Sequence, residues 1–93
     1  MLPELLGNLD YVLSNAIALY PSPAKEQVTL SNSSSIKLEA AMIYDLKGKL
    51  VSQINLQDMQ DERVIDVSSF ATGVYMVHIK GEQSSVVKRM IKK

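Results

Sequence analysis

Turn-forming residues recur roughly every ten residues in this chain, between short segments in which apolar and polar side chains alternate. The clearest turn is Asp45-Leu46-Lys47-Gly48, and a longer one spans residues 66–73. An aspartate that opens a turn accepts hydrogen bonds from the backbone that follows, and glycine adopts the positive φ that closes it. Short alternating strands at this spacing predict an all-β fold, a small immunoglobulin-like or fibronectin-like antiparallel β-sandwich of about seven strands.

The alternation also predicts which side chains face the core. Ile36, Leu38 and Ala40 share one face of the third predicted strand. The pattern blurs at residues 42–44, which predicts a bulge or a stretch that is covered on both faces. The other predicted strands cover residues 16–20, 27–31, 49–56, 63–67, 74–80 and 85–92.

The chain length and the first residues bound the domain organisation. The 93 residues suffice for one domain with one modest core. We expect a linker or upstream remnant at residues 1–15 and the sandwich at residues 16–93. Residues 3–13 carry apolar side chains at helical spacing, so a short helix and an irregular linker are both open. The opening segment lacks the basic start of a signal peptide, so any export signal of that kind would lie outside this chain.

Composition disfavours several classes of function. Ten basic and ten acidic side chains cancel, whereas nucleic-acid binding rests on an excess of cations. Cysteine is absent, which excludes disulfides, thiolate metal sites and cysteine nucleophiles. No apolar run reaches the roughly eighteen residues of a membrane-spanning helix, so no transmembrane segment is predicted.

Few residues could carry chemistry. His78 is the only histidine, and zinc sites need three or four ligands, so we expect an outward-facing strand residue. Asp58, Asp61 and Glu62 form an acidic cluster, but their spacing is not that of an EF-hand loop and a solvated loop is favoured. No serine lies in a G-x-S-x-G motif. We therefore predict no enzyme activity, no metal and no cofactor.

Two aspartates could be the paired carboxylates of a hydrolase, Asp45 and Asp66. Each is also explained as a turn cap, which requires no active site. In the second turn we expect Ser68 or Ser69 to cap the backbone and Phe70 to pack under the sandwich. Turn capping is the favoured interpretation.

The last predicted strand is rich in basic side chains, because four of the ten Lys and Arg residues lie within residues 88–93. One interpretation is an edge strand that lysines protect from edge-to-edge pairing. The other is a docking strand that a partner sheet or an acidic groove engages. The residues alone favour the first and leave the second open.

A proline segment, Tyr20-Pro21-Ser22-Pro23-Ala24, precedes both turns and suits a sheet edge or a crossover between sheets. Together with Tyr44-Asp45-Leu46-Lys47-Gly48-Lys49, Phe70-Ala71-Thr72-Gly73-Val74-Tyr75 and the terminal basic strand, it resembles the type A C-terminal sorting domain of the type IX (Por) secretion system of Bacteroidetes. Ser22 stands where the family usually has Asn. The resemblance covers residues 16–93.

That resemblance implies a secretion signal module that directs a covalently fused upstream cargo through the type IX system. The implied partners are the secretion machinery, comprising an outer-membrane shuttle and a sortase-like peptidase that usually removes the domain. The implied location is the periplasm in transit, then the cell surface or the extracellular space. The domain would be a substrate in that chemistry and not a catalyst.

The family's recognition role is carried onto the positions that match its motifs. These are Pro21, Pro23, Ala24, Asp45, Gly48, Lys49, Gly73, Val74, Tyr75, Lys88, Arg89, Ile91, Lys92 and Lys93. The alternative function is a non-catalytic adhesive or carbohydrate-binding module appended to a secreted enzyme. Sugar sites commonly expose aromatic faces, and the absence of Trp weakens that alternative.

Overall fold

The computed structural model describes residues 15–21, 23–33, 36–59, 61–82 and 84–93. The expected linker at residues 1–15 therefore lies almost wholly outside the described residues, as does Ser22. The described residues form seven strands: β1 (Ile17–Tyr20), β2 (Gln27–Asn32), β3 (Leu38–Asp45), β4 (Leu50–Asn55), β5 (Glu62–Asp66), β6 (Gly73–Gly81) and β7 (Ser85–Lys92).

These strands pair into two antiparallel sheets, so the predicted all-β sandwich is confirmed. One sheet has three strands in the order β1-β2-β5, and the other has four in the order β4-β3-β6-β7. Every predicted strand is present, with ends that differ by at most a few residues, as is usual for strand boundaries. The β5 strand, for example, begins at Glu62 and not at Arg63.

The core lies between the two sheets and is aliphatic. Val28 and Leu30 of β2 face it from the smaller sheet, and Val77 and Ile79 of β6 face it from the larger sheet. Met90 of β7 is fully buried beside them. Since each large aliphatic side chain stabilises a fold by about 1.5 to 3 kcal/mol when it is fully buried, this cluster accounts for why the two sheets stay together.

The pairing of β3 with its two neighbouring strands slips in two places. The pairing of β3 with β6 slips between Leu38 and Ala40, and that with β4 slips between Ile43 and Tyr44. The second slip lies beside the predicted position, but its extra residue is Val51 of β4, because Ile43 pairs with Ser52 and Tyr44 with Leu50. The first slip was not predicted, and it makes the expected face wrong at one position: Ala41, and not Ala40, is fully buried, because one extra residue reverses the alternation.

Candidate recognition site

The motif residues from the sequence gather at one end of the sandwich, which we call the motif end. There β1, β3, β5 and β7 finish and β2, β4 and β6 begin. The strand register pairs residues of different motifs: Asp45 pairs with Tyr75, and Gly73 pairs with Lys92. Ala24 in turn forms a parallel bridge with Lys92. Segments that are far apart in the chain therefore meet in one structure.

The proline segment reaches the terminal strand through Ala24, in what we call the Ala24 bridge. The Ala24 amide donates a hydrogen bond to the Ile91 carbonyl at 2.8 Å, and the Lys93 amide donates one to the Ala24 carbonyl at 2.8 Å. Ala24 has no exposed surface. Its segment leaves the smaller sheet after β1 and returns to it in β2, so it ties the two sheets together, which agrees with the predicted role at an edge or crossover.

The turn at residues 45–48 forms as predicted. The Asp45 carboxylate accepts hydrogen bonds from the amides of Lys47 and Lys49, both at 2.9 Å, and the Gly48 amide donates to the Asp45 carbonyl at 3.0 Å. Gly48 has φ +87°, which side-chain-bearing residues rarely adopt. The bond from the Lys49 amide is the main cause that lowers the pKa of Asp45. This carboxylate holds a turn and is not oriented toward a reaction partner.

The turn at residues 66–73 differs from the prediction in its cap. The Asp66 carboxylate is the acceptor, and the Ser68 amide donates to it at 2.9 Å. Hydrogen bonds from the Ser68 hydroxyl and amide lower the pKa of Asp66. The Asp66 carboxylate thus caps this turn in place of the expected serine, and the Ser68 hydroxyl donates to that carboxylate. Asp45 and Asp66 both cap turns, as the favoured interpretation expected.

The buried side chain of Tyr75 stabilises the same turn through a hydrogen bond that was not predicted from the sequence. Its hydroxyl donates to the Ala71 carbonyl at 2.6 Å, and its ring is nearly buried. The Phe70 ring lies 5.1 Å from it and packs against the core, as predicted for Phe70. A tyrosine that starts a strand and bonds the backbone just upstream is the tyrosine corner of immunoglobulin-like sandwiches. Its position just after Gly73 was the signal that could have revealed it.

The terminal strand β7 presents its basic residues on two different faces. Met90 and Lys92 point into the sandwich and are buried, with Lys92 only 8% exposed, whereas Arg89 and Lys93 are exposed. We expected the whole basic tail to be available for steering a partner. Lys92 departs from this expectation because it lies on the same face of β7 as Met90, which points into the core.

Beside this strand end, the motif end has an open cavity of about 520 Å³. Pro21, Pro23 and Lys93 line it, together with residues 25–27. The proline rings give it a rigid wall, because proline fixes φ. The cavity therefore joins the first and the last of the motifs on one surface.

At the opposite end of the sandwich, the far end, the Asn32 side chain bonds the backbone of Ile36. Asn32 is buried, donates to the Ile36 carbonyl at 2.6 Å and accepts from the Ile36 amide at 3.2 Å. Leu56 and Met59 line a cavity of about 460 Å³ beside it. Asp61 belongs to this end too, and its backbone carbonyl accepts a hydrogen bond from the backbone amide of Asn32 at 2.8 Å.

The other candidate residues do not converge. His78 is exposed on β6, as predicted, and its ring lies 4.9 Å from that of Tyr44. Among the described residues, no three His, Cys, Asp or Glu side chains are grouped so that they could hold a metal ion. Glu62 of the acidic cluster accepts a hydrogen bond from the Tyr20 hydroxyl at 2.7 Å, which raises the pKa of Tyr20. No helix in the described part of the chain is long and apolar enough to cross a membrane.

Comparison with known proteins identifies the family of this chain. No curated protein matches the chain. The model of a protein family described as the secretion system C-terminal sorting domain matches residues 18–93, which is most of the chain and includes the whole motif end. The chain therefore belongs to the secretion system C-terminal sorting domain family, a family of sorting signals for type IX secretion.

Proposed function

We propose that this domain directs a covalently attached cargo protein through the type IX system and across the outer membrane. The observation that carries the proposal is the convergence of the family's motifs at the motif end. The proline segment, both turns and the terminal strand meet there through backbone hydrogen bonds. Segments that are distant in sequence then present one constant shape, which a partner can read without any reactive group.

The individual steps of export that we propose are those that the family resemblance implies. The domain folds in the periplasm, the outer-membrane shuttle binds it, and a sortase-like peptidase cuts the chain within or before residues 1–18. The cargo then stays at the cell surface or is released outside the cell. In each step the domain is bound or cut and performs no chemistry itself.

The motif end supports recognition by shape combined with charge. Its backbone is held by the Ala24 bridge, the Asp45 cap and the Tyr75 corner, so a partner that binds it would order little further chain. Arg89 and Lys93 are exposed, and charges at the rim of an interface raise the rate of association. The partner surface is accordingly acidic.

A reporter experiment tests the proposal. The complete 93-residue chain is fused behind a periplasm-targeted fluorescent protein and expressed in a Bacteroidetes host with a working type IX system. We expect fluorescence at the surface or in the medium, and retention in the periplasm in a strain that lacks the system. The same fusion without residues 86–93 is expected to stay inside.

Three results would count against the proposal. Retention of the intact fusion in the competent host contradicts it directly. Export that survives removal of residues 86–93 contradicts the role of the terminal strand. Binding of the purified chain on a glycan array, without export, would favour the carbohydrate-binding alternative.

A further inference from the structure

The backbone around the motif-end cavity, which has a volume of about 520 Å³, is fixed by hydrogen bonds. Both backbone groups of Ala24 are bonded to the terminal strand at 2.8 Å. The Glu26 carbonyl accepts a hydrogen bond from the Val67 amide at 2.9 Å. Because these bonds hold the chain on both sides of Lys25, the cavity keeps its shape without a partner, and binding requires little further ordering.

Two proline rings form the apolar part of this cavity. Pro21 and Pro23 both line it, and both are exposed. Proline fixes φ, so these rings keep their positions, and proline-rich segments are commonly bound by aromatic side chains of a partner. The volume lies within the range of pockets that hold an organic ligand, which leaves room for a phenyl or indole ring. The cavity therefore suits an aromatic side chain.

The charged side chains at the cavity favour an anion. Lys25 and Lys93 line it together with one carboxylate, that of Glu26. Within the described part of the chain, neither ammonium has an ion pair or a hydrogen bond. The adjacent strand β5 contributes the carboxylate of Asp66, which already accepts hydrogen bonds from Ser68. The two ammonium groups at the cavity are therefore available to a ligand.

The charge balance stays positive when Asp66 is included. The ammonium of Lys92, a buried residue, donates to the Lys93 carbonyl at 3.4 Å and adds a third cation next to the cavity. Three ammonium groups then stand against two carboxylates. The surroundings of the cavity carry an excess of positive charge, which attracts a carboxylate.

The far-end cavity has a similar volume, about 460 Å³, but the opposite charge. It is lined by the carboxylates of Glu39, Asp61 and Glu82 and by one ammonium, that of Lys37. Lys80 lies 3.8 Å from Glu39 and still leaves an excess of negative charge. An anionic ligand is repelled there, so the far-end cavity is a natural control for the motif-end cavity.

We propose that the motif-end cavity binds an aromatic side chain of the secretion machinery together with a carboxylate that lies beside the ring. Pro21 and Pro23 contact the ring, and Lys25 and Lys93 bind the carboxylate. The assignment of this side chain to the secretion machinery rests on the proposed function. The ligand chemistry rests on the cavity alone.

A titration with phenylacetate, an aromatic ring that carries a carboxylate, tests the site. NMR of the complete isotope-labelled chain follows the backbone amides. We expect saturable shifts at residues 24–27 and at Lys93, with a dissociation constant on the order of 1 to 10 mM for a ligand of this size. Phenethylamine replaces the carboxylate by an ammonium, and cyclohexylacetate replaces the aromatic ring. Each is expected to bind at least about threefold more weakly.

Charge reversal at the cavity tests the two lysines. Lys25→Glu/Lys93→Glu is expected to weaken phenylacetate binding by at least about fivefold. The control is Lys37→Glu, which reverses an exposed lysine of the far-end cavity and should leave binding within about twofold of the original. Circular dichroism checks that both variants fold. In the export reporter, we expect the double variant to lower surface fluorescence by at least about fivefold and the control to leave it unchanged.

Contrary results of the titration overturn the binding site. Shifts that do not saturate below about 50 mM, or that centre on the far-end cavity, contradict it. Equal binding of phenethylamine contradicts the role of the carboxylate, and equal binding of cyclohexylacetate contradicts the role of the aromatic ring.

The reporter separates this inference from the proposed function. Normal export of the folded double variant, beside normal export of the original fusion, contradicts a role of the cavity in secretion and leaves the proposed function intact. Retention of the original fusion in the competent host counts against the proposed function, while the titration still decides whether the cavity binds an aromatic carboxylate.

Discussion

The two ends of the sandwich are held together in different ways. At the motif end, four segments that are distant in sequence are joined by backbone hydrogen bonds, and carboxylates and one tyrosine hydroxyl reinforce the turns. At the far end, backbone hydrogen bonds also join distant segments, such as the one from the Ser33 amide to the Ala16 carbonyl at 2.9 Å, but the buried Asn32 side chain adds two bonds to Ile36. Bonds between backbone groups fix the path of the chain whatever the side chains are, whereas the two bonds to Ile36 depend on the identity of residue 32.

This difference indicates where a binding partner can depend on a constant surface. A shape built from backbone bonds persists while exposed side chains vary, which suits a sorting signal. We therefore expect changes at the motif end to affect recognition, and changes at the far end to affect stability alone. The predictions below test that contrast, beginning with the largest effect.

The first prediction concerns the Ala24 bridge. Ala24→Asp places a carboxylate at a fully buried position, and we expect the free energy of unfolding to fall by about 3 to 5 kcal/mol, which is the usual cost of an unpaired buried charge. Urea denaturation measures it. Lys25→Asp at the exposed neighbouring position is the control and is expected to change stability by no more than about 0.5 kcal/mol. Equal effects of the two variants would mean that the bridge does not hold the motif end.

The second prediction concerns the far end. Asn32→Ala removes both hydrogen bonds to Ile36 and should lower the free energy of unfolding by about 2 kcal/mol. We expect export of the reporter to continue at temperatures where this variant is folded, because the motif end is unchanged. Loss of export by a variant that is folded by circular dichroism would break the contrast between the two ends.

The third prediction concerns the tyrosine corner. Tyr75→Phe keeps the buried ring and removes the hydrogen bond to the Ala71 carbonyl, so stability should fall by about 1 kcal/mol. Tyr44→Phe is the matched control, since the Tyr44 hydroxyl contacts only the weak acceptor Met42 Sδ at 3.9 Å among its described hydrogen bonds. We expect this control to cost less than half as much in thermal unfolding. A larger loss for Tyr44→Phe would contradict the structural role of the corner.

The fourth prediction concerns acid. Asp45 and Asp66 have a pKa below the ordinary value of 3.8 in the folded protein, because turn amides and the Ser68 hydroxyl donate to them. A lowered pKa means that the folded state binds fewer protons, so this contribution to stability is present above about pH 4 and is lost as the pH falls through the folded pKa. Thermal unfolding between about pH 2 and pH 6 measures it.

Substitution of both aspartates tests whether these two carboxylates cause the pH dependence of stability. The Asp45→Asn/Asp66→Asn variant is expected to show a flatter dependence of stability on pH in the acid range. Asp58→Asn, in the loop after β4, serves as the comparison variant. An unchanged acid profile in the double variant would show that the turn carboxylates do not cause the dependence.

Local sequence predicted the fold well, but the site only in pieces. The Asp45 turn was predicted in detail because its two hydrogen bonds and the positive φ of Gly48 all lie within five consecutive residues. The slip near Glu39 was missed because a bulge depends on how the neighbouring strand pairs. The Tyr75 corner was missed as well, although its partner is only four residues away, because a tyrosine at a strand start is equally compatible with simple burial.

The sequence by itself determined the strands and turns of this protein, since alternation and turn chemistry act over a few residues. Only the tertiary structure brought Ala24 against Ile91 and Lys93, buried Lys92, and left β4 as the uncharged edge. Contacts between residues nearly seventy positions apart depend on which strands pair and on how the two sheets stack. No local pattern specifies that arrangement, because it is decided by the packing of the whole core.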